Sequence, residues 1–242
     1  MTPEKVAPLK RSRIHEQVID ILLHRMVRGE YGVGSKLPTE RAMAAEFGVN
    51  RNTVREALRY LENLELIAIR QGDGARVRDY RESGNLQTAK ALLQVDEAMQ
   101  QEVLSALLEV RRMICPEIAY LADLRRSEAH LADLRRVALD MPELSILERD
   151  KRVHRIIGRA SGNLIYLLNT NFYETFFDYA EDLYFAAPQN ARRSARFHRE
   201  ILTAREKQNA SDARGVMSEA LAYAEEAIQG TLAGRRGNSP VA

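Results

Sequence analysis

Residues 37–64 read LPTERAMAAEFGVNRNTVREALRYLENL, and the fold turns on this stretch. Thr39 can cap a short helix from about Glu40 to Phe47, and Gly48 ends it, because glycine enters the left-handed conformation at little cost. A second run starts near Asn50, where Val54, Ala57, Leu58, Leu61 and Leu64 recur at the steps of three and four that bury one helical face. Two helices joined by a tight glycine-containing turn form a helix-turn-helix, whose second helix enters the DNA major groove by its N-terminal end. Here that end is Asn50-Arg51-Asn52-Thr53-Val54-Arg55. Donors and cations crowd into one turn, with Arg51 and Arg55 four apart on the same face.

Outward from this pair, an apolar stripe of Ile14, Val18, Ile21, Leu22 and Met26 predicts a preceding helix that stops near Gly29. On the other side, Leu66–Arg70 and Ala75–Arg78 flank Gln71-Gly72-Asp73-Gly74, whose glycines suit a tight hairpin. Arg70, Arg76 and Arg78 make that hairpin a basic wing, and Arg41 opens the earlier helix within reach of a phosphate. The predicted DNA-binding domain spans residues 9–78. A linker at 79–85, an all-helical effector-binding and dimerisation domain at 86–232 and a disordered tail at 233–242 complete the expected organisation.

The whole chain has 242 residues, 45% hydrophobic and 29% charged, with 13 Gly and 7 Pro, which fits a globular protein and excludes collagen-like or wholly disordered chains. Net charge is only +2; residues 1–80 carry 14 Lys/Arg against 11 Asp/Glu, so placement rather than bulk charge argues for nucleic acid. The single Cys115 can form neither an internal disulfide nor a thiolate zinc cluster. No apolar run nears the roughly 20 residues that span a bilayer, and no signal-peptide core is present, so a cytoplasmic protein without membrane contact is expected.

Beyond Ser83 the pattern is helical throughout, at roughly 84–94, 98–124, 127–140, 145–160, 163–186, 188–208 and 212–232. The predicted fold is mainly α, an N-terminal winged helix-turn-helix followed by a C-terminal antiparallel α-helical bundle. Some inward positions are polar: Arg111 on a stripe of Leu104, Leu107, Leu108 and Ile114; Asp150 and His154 four apart beside Val153 and Ile157; and His198 beside Ile201 and Leu202. Buried charges are costly unless paired, liganded or solvated. An Asp and a His at i, i+4 with a second His suit a divalent transition metal such as zinc or nickel, and equally suit a hydrogen-bonded core pair. Helix 163–186 carries Tyr166, Phe172, Tyr173, Phe176, Phe177, Tyr179, Tyr184 and Phe185 on nearly every side, either a large apolar pocket or ordinary core and dimer packing.

Leu37–Arg41, Val49–Leu58 and Leu64–Gly72 together resemble the winged-helix signature of GntR-family bacterial transcription regulators. The resemblance implies DNA contacts from Arg41, Asn50, Arg51, Asn52, Thr53, Arg55, Gln71 and Gly72. Asp73 departs from the basic or small residue usual near the wing tip and would weaken a contact there. Residues 83–232 resemble the effector domain of the FadR branch, many members of which hold a metal beside a small carboxylate. Asp150, His154 and His198 match three ligands of that set, whereas the fourth position is Ala220. Segments 161–166 and 183–188 resemble fatty-acid-responsive members, which bind a long-chain acyl-CoA and lack the metal set. Either way Arg111 is the natural partner for an anionic head.

The expected protein is a homodimer on a double-stranded DNA operator, modulated by a small carboxylate or an acyl-CoA at Arg111, Asp150, His154 and His198. A helical metalloenzyme is the rival from another class, but no separate nucleophile or phosphate loop accompanies Asp150, His154 and His198. A constitutive DNA-binding scaffold would need the inward polar set to pair internally.

Overall fold

A computed structural model describes residues 12–176, 179 and 181–238. It contains two compact units, which divide between Val103 and Leu104.

The first unit opens with α1 (Ser12–Val27), α2 (Glu40–Phe47) and α3 (Arg51–Asn63). β1 (Ile67–Arg70) and β2 (Gly74–Val77) follow as an antiparallel hairpin in register from Ile67 opposite Val77 to Arg70 opposite Gly74. α1 packs on α3, and Leu22, Met43, Val54, Ala57, Leu61 and Ile67 fill the core. Residues 34–37 lie along β2 as a third edge: Gly34 N–H donates to Val77 O at 2.8 Å, and Leu37 N–H to Ala75 O at 2.8 Å. This edge has no alternating apolar pattern, since it is pinned by backbone pairing rather than by side-chain burial.

Chain 79–85, expected as a linker, holds the short α4 (Tyr80–Ser83). After it, α5 (Leu86–Leu92) packs into the first unit: the Thr88 hydroxyl donates to Leu64 O at 2.7 Å, and Leu92 and Val95 join the core. The unit boundary therefore falls inside the next helix, α6 (Glu97–Leu124).

The second unit contains the rest of α6, α7 (Glu128–Leu139), α8 (Ile146–Ala160), α9 (Leu164–Glu174), a π-helical turn (Glu181–Phe185), α10 (Pro188–Glu206) and α11 (Ala210–Asn238). α10 lies against α7, α8 and α11, and α8 against α9. The core is built from Ile118, Ala122, Leu134, Val153, Ile157, Ile201 and Met217. The helix expected over 163–186 is interrupted. α9 ends at Thr175, whose hydroxyl donates to Phe172 O at 2.7 Å, so the side chain satisfies a carbonyl of the last turn. α11 runs to Asn238, through the first part of the stretch expected as a disordered tail, with no proline to stop it before Pro240. Residues 239–242 lie outside the described residues, as do 1–11. No helix among the described residues is long and apolar enough to cross a membrane.

Candidate nucleic-acid interface and ligand cavity

The joint between α2 and α3 is short because both ends are capped. Gly48 sits at φ 65° and its N–H returns to Ala44 O, and two residues later the Asn50 carboxamide oxygen accepts from Thr53 N–H at 2.9 Å. The Thr53 hydroxyl donates to the same oxygen at 3.2 Å. Two of the expected DNA contacts, Asn50 and Thr53, thus also shape the turn. Arg51 and Asn52 are exposed on its outer side, and Arg41 is exposed at the start of α2. Arg55 instead reaches back to α2, where its Nε and Nη2 clasp the Glu40 carboxylate at 3.1 and 2.8 Å. That clasp holds the Glu40 pKa below the usual carboxylate range and raises that of Arg55.

In the wing, Gln71 and Gly72 are exposed at the tip, and Gly72 and Gly74 take φ of 82° and 92°, which a side chain would strain. Asp73 does more than subtract a positive charge. Its carboxylate accepts from Arg76 Nε at 2.9 Å and Lys36 Nζ at 3.1 Å, joining the hairpin to the third edge. These hydrogen bonds, Arg76 first, lower its pKa to about 2. Arg78 pairs with Glu65, and the Glu62 carboxylate accepts from Ile69 N–H at 2.8 Å, fixing β1 to the end of α3.

In the second unit, Asp150 and His154 of α8, His198 of α10 and Arg111 of α6 do come together. Asp150 Oδ1 lies 2.8 Å from His198 Nε2, Asp150 Oδ2 lies 3.6 Å from His154 Nε2, and Arg111 Nη2 lies 3.1 Å from that same nitrogen. Asp150, His154 and His198 are buried. Burial works against the charge on Asp150, yet the His198 hydrogen bond and nearby positive charge bring its pKa down to about 2. Burial pushes His154 down to about 4, so its ring is neutral at pH 7 and stacks on Phe197 with centroids 5.5 Å apart. A guanidinium can only donate, so His154 Nε2 accepts from Arg111 and the proton sits on Nδ1.

This arrangement does not fit a metal centre. The His154 lone pair faces a cation, His198 Nε2 is taken up by Asp150, and Ala220 offers no donor at the fourth position. Among the described residues no group of three or more His, Cys, Asp or Glu is placed to hold a metal ion. In this structure Asp150, His154 and His198 form a hydrogen-bonded cluster with the Arg111 guanidinium beside it.

Three small hollows, each partly open to solvent, adjoin the cluster, and Arg111 lines all of them. The first also presents Asp150, His154, Arg193 and Ser194; the second Cys115, Thr170 and Tyr173; the third is largely aliphatic and aromatic. Of the expected aromatic set, Tyr173 and Phe176 line the third, Tyr184 and Phe185 the first, and Phe177 lies outside the described residues.

Sequence reading missed a second buried charge cluster. Arg205 is fully buried, its Nη2 donating to Ala122 O at 2.8 Å, with buried Asp123 and the buried Arg126 side chain beside it. Burial lowers the Arg205 pKa to about 10. Its position four after Ile201, on the same stripe, was the available signal.

Comparison with known proteins accounts for both units. Residues 14–77 match the gntR family of bacterial regulatory proteins, and residues 106–223 match the FCD domain. An HTH-type transcriptional regulator of Mycobacterium tuberculosis is 36% identical over 48% of each chain, so this chain spans about half the length of that relative. LutR of Bacillus subtilis is 29% identical over 84% of this chain and 95% of its own, and the fatty acid metabolism regulator protein of Edwardsiella ictaluri 27% over 74% and 75%. The solved structure of Listeria monocytogenes Lar shares the fold, with a TM-score of 0.55 at 17% identity over 93% of this chain and 99% of its own. Proteins of this family are regulators rather than enzymes, and FCD domains bind metal ions or small-molecule effectors. The chain belongs to the gntR-family bacterial regulatory proteins, in the branch that carries an FCD domain behind the winged helix.

Proposed function

We propose that this protein is a ligand-responsive DNA-binding transcription regulator, acting in the cytoplasm as a homodimer on a two-fold operator. The observation that carries the reading is the exposed Arg51-Asn52 pair at the capped N-terminal end of α3, flanked by Arg41 and the basic wing. In such a placement Arg51 and Asn52 reach base edges, while Arg41, Arg55 and the wing tip at Gln71 and Gly72 position the backbone. Two-fold symmetry sets two such helices one or more helical turns of DNA apart.

The FCD unit supplies the signal. A small organic acid enters beside Arg111, where the charge of the Asp150, His154 and His198 cluster is already balanced and no metal is required. Binding that favours one of two conformations of the regulator shifts operator affinity, and operator binding shifts acid affinity by the same factor. Selection of duplexes from a random pool, followed by titration of the enriched sequence, tests the first half. A specific complex that Arg51→Ala weakens at unchanged melting temperature supports it; no enriched sequence, or one bound equally by the variant, rejects it.

A further inference from the structure

The wing offers DNA less positive charge than its cations suggest, an inference that rests on the DNA-binding reading. In β2, Ala75 and Val77 are buried, so Arg76 lies on the outer face of the hairpin. Lys36 is its antiparallel bridge partner on the third edge, which sets two cations side by side on that face. Like charges placed directly opposite each other are destabilising. Asp73 reconciles them. One of its carboxylate oxygens accepts from Lys36 Nζ at 3.1 Å and Arg76 Nη2 at 3.4 Å, and the other accepts from Arg76 Nε at 2.9 Å. Arg76 Nη1 donates further to Gly34 O at 3.2 Å. Gly74 lets the lysine cross the hairpin, since a Cβ there would meet Lys36 Cε at 3.3 Å. An isolated exposed pair such as Arg55 with Glu40 yields readily to a phosphate. This network is costlier to open, because moving Arg76 to a phosphate breaks three hydrogen bonds and leaves the Asp73 carboxylate facing that phosphate.

We propose that Asp73 is a positioning residue that withholds Lys36 and Arg76 from the DNA backbone, leaving phosphate contact to cations outside the network such as Arg41 and Arg70. Phosphate contacts carry no sequence information, so the effect falls on operator and unrelated DNA alike. Asp73 thereby sets the strength and salt range of binding and leaves the sequence read to α3. Full-length protein and its variants are titrated with the enriched operator and with an unrelated duplex of equal length over a range of salt. Each cation newly engaged by a phosphate steepens the slope of log affinity against log salt by about 0.9. Asp73→Asn is expected to steepen it by about 1–2 on both duplexes, with tighter binding at low salt. That gain fades about 3.5-fold per added contact for each fourfold rise in salt. Lys36→Met and Arg76→Met, made alone, are expected to change the wild-type slope by less than about 0.5. Added to Asp73→Asn, each removes about half of the steepening. The combined variants separate freed charge from a loosened hairpin, whose effect they would not reverse, and melting temperatures without DNA report folding.

An Asp73→Asn slope equal to that of the wild type overturns the proposal and leaves the DNA-binding reading standing. So does a slope shallower by about 0.9 in Lys36→Met or Arg76→Met alone, which would put those cations on phosphates already. Absence of any wild-type complex with an enriched duplex overturns the DNA-binding reading itself, and this proposal with it.

Discussion

The turn at Asn50–Arg55 and the cluster at Arg111, Asp150, His154 and His198 draw on similar side chains, yet the two regions use them in opposite ways. At the turn, charges are solvated and paired across exposed gaps, as in Arg55 with Glu40. Exposed pairs are worth only about 0–1 kcal/mol, so a phosphate can replace a carboxylate at little cost. In the cluster, Asp150 and His198 are buried and joined at 2.8 Å. A buried pair contributes little net stability, but breaking it strands a charge. The first region is an exchangeable surface; the second is a fixed frame around a cavity.

The largest test of this contrast is Asp150→Ala. Loss of its carboxylate leaves the buried His198 Nε2 without its hydrogen-bond partner, and denaturation should show a loss of about 3–5 kcal/mol. A loss under about 1 kcal/mol would mean the cluster is as tolerant as the surface. Arg51→Ala should do the reverse, costing about 1–3 kcal/mol in specific operator affinity with no change in melting temperature.

Asn50 sits on the border between the two behaviours. Asn50→Ala should lose about 1 kcal/mol of stability with the cap, whereas Asn50→Asp keeps the cap and weakens operator binding by adding charge. Equal stability of both variants would remove the capping role. The smallest effect concerns Asp73, whose folded pKa is depressed to about 2. Its contribution is present above its ordinary value near 3.8 and fades as pH falls through about 2. Carboxyl titration by NMR should find that low midpoint, and Lys36→Ala should raise it.

What the sequence makes legible follows from what is local. The cap at Thr39, the stop at Gly48, the α3 stripe and the hairpin glycines act within a few residues of themselves, and each was readable in order. The inward facing of Asp150 and His154 was likewise written in their spacing. Pairings across long separations left no such trace. Glu40 with Arg55 lies 15 residues apart, Lys36 with Asp73 lies 37 apart, and Arg111 with His154 lies 43 apart. Spacing left Asp150, His154 and His198 open as metal ligands or as a hydrogen-bonded pair, because residue types fix what a cluster can bind but not which lone pairs face a cation. The break at Thr175 was hidden for another reason: an aromatic-rich run continues the helical pattern past the residue that ends the helix.

The three-residue joint at Gly48–Asn50 has a mechanical consequence. The proposed base-reading residues sit beside it, while the wing is tied through Glu62 and Ile69 to the far end of a 13-residue helix. At 1.5 Å per residue that arm is about 20 Å long, so a tilt of about 5° swings the wing by nearly 2 Å and scarcely moves Arg51. A tilt about that joint would therefore displace the wing far more than the proposed base-reading turn.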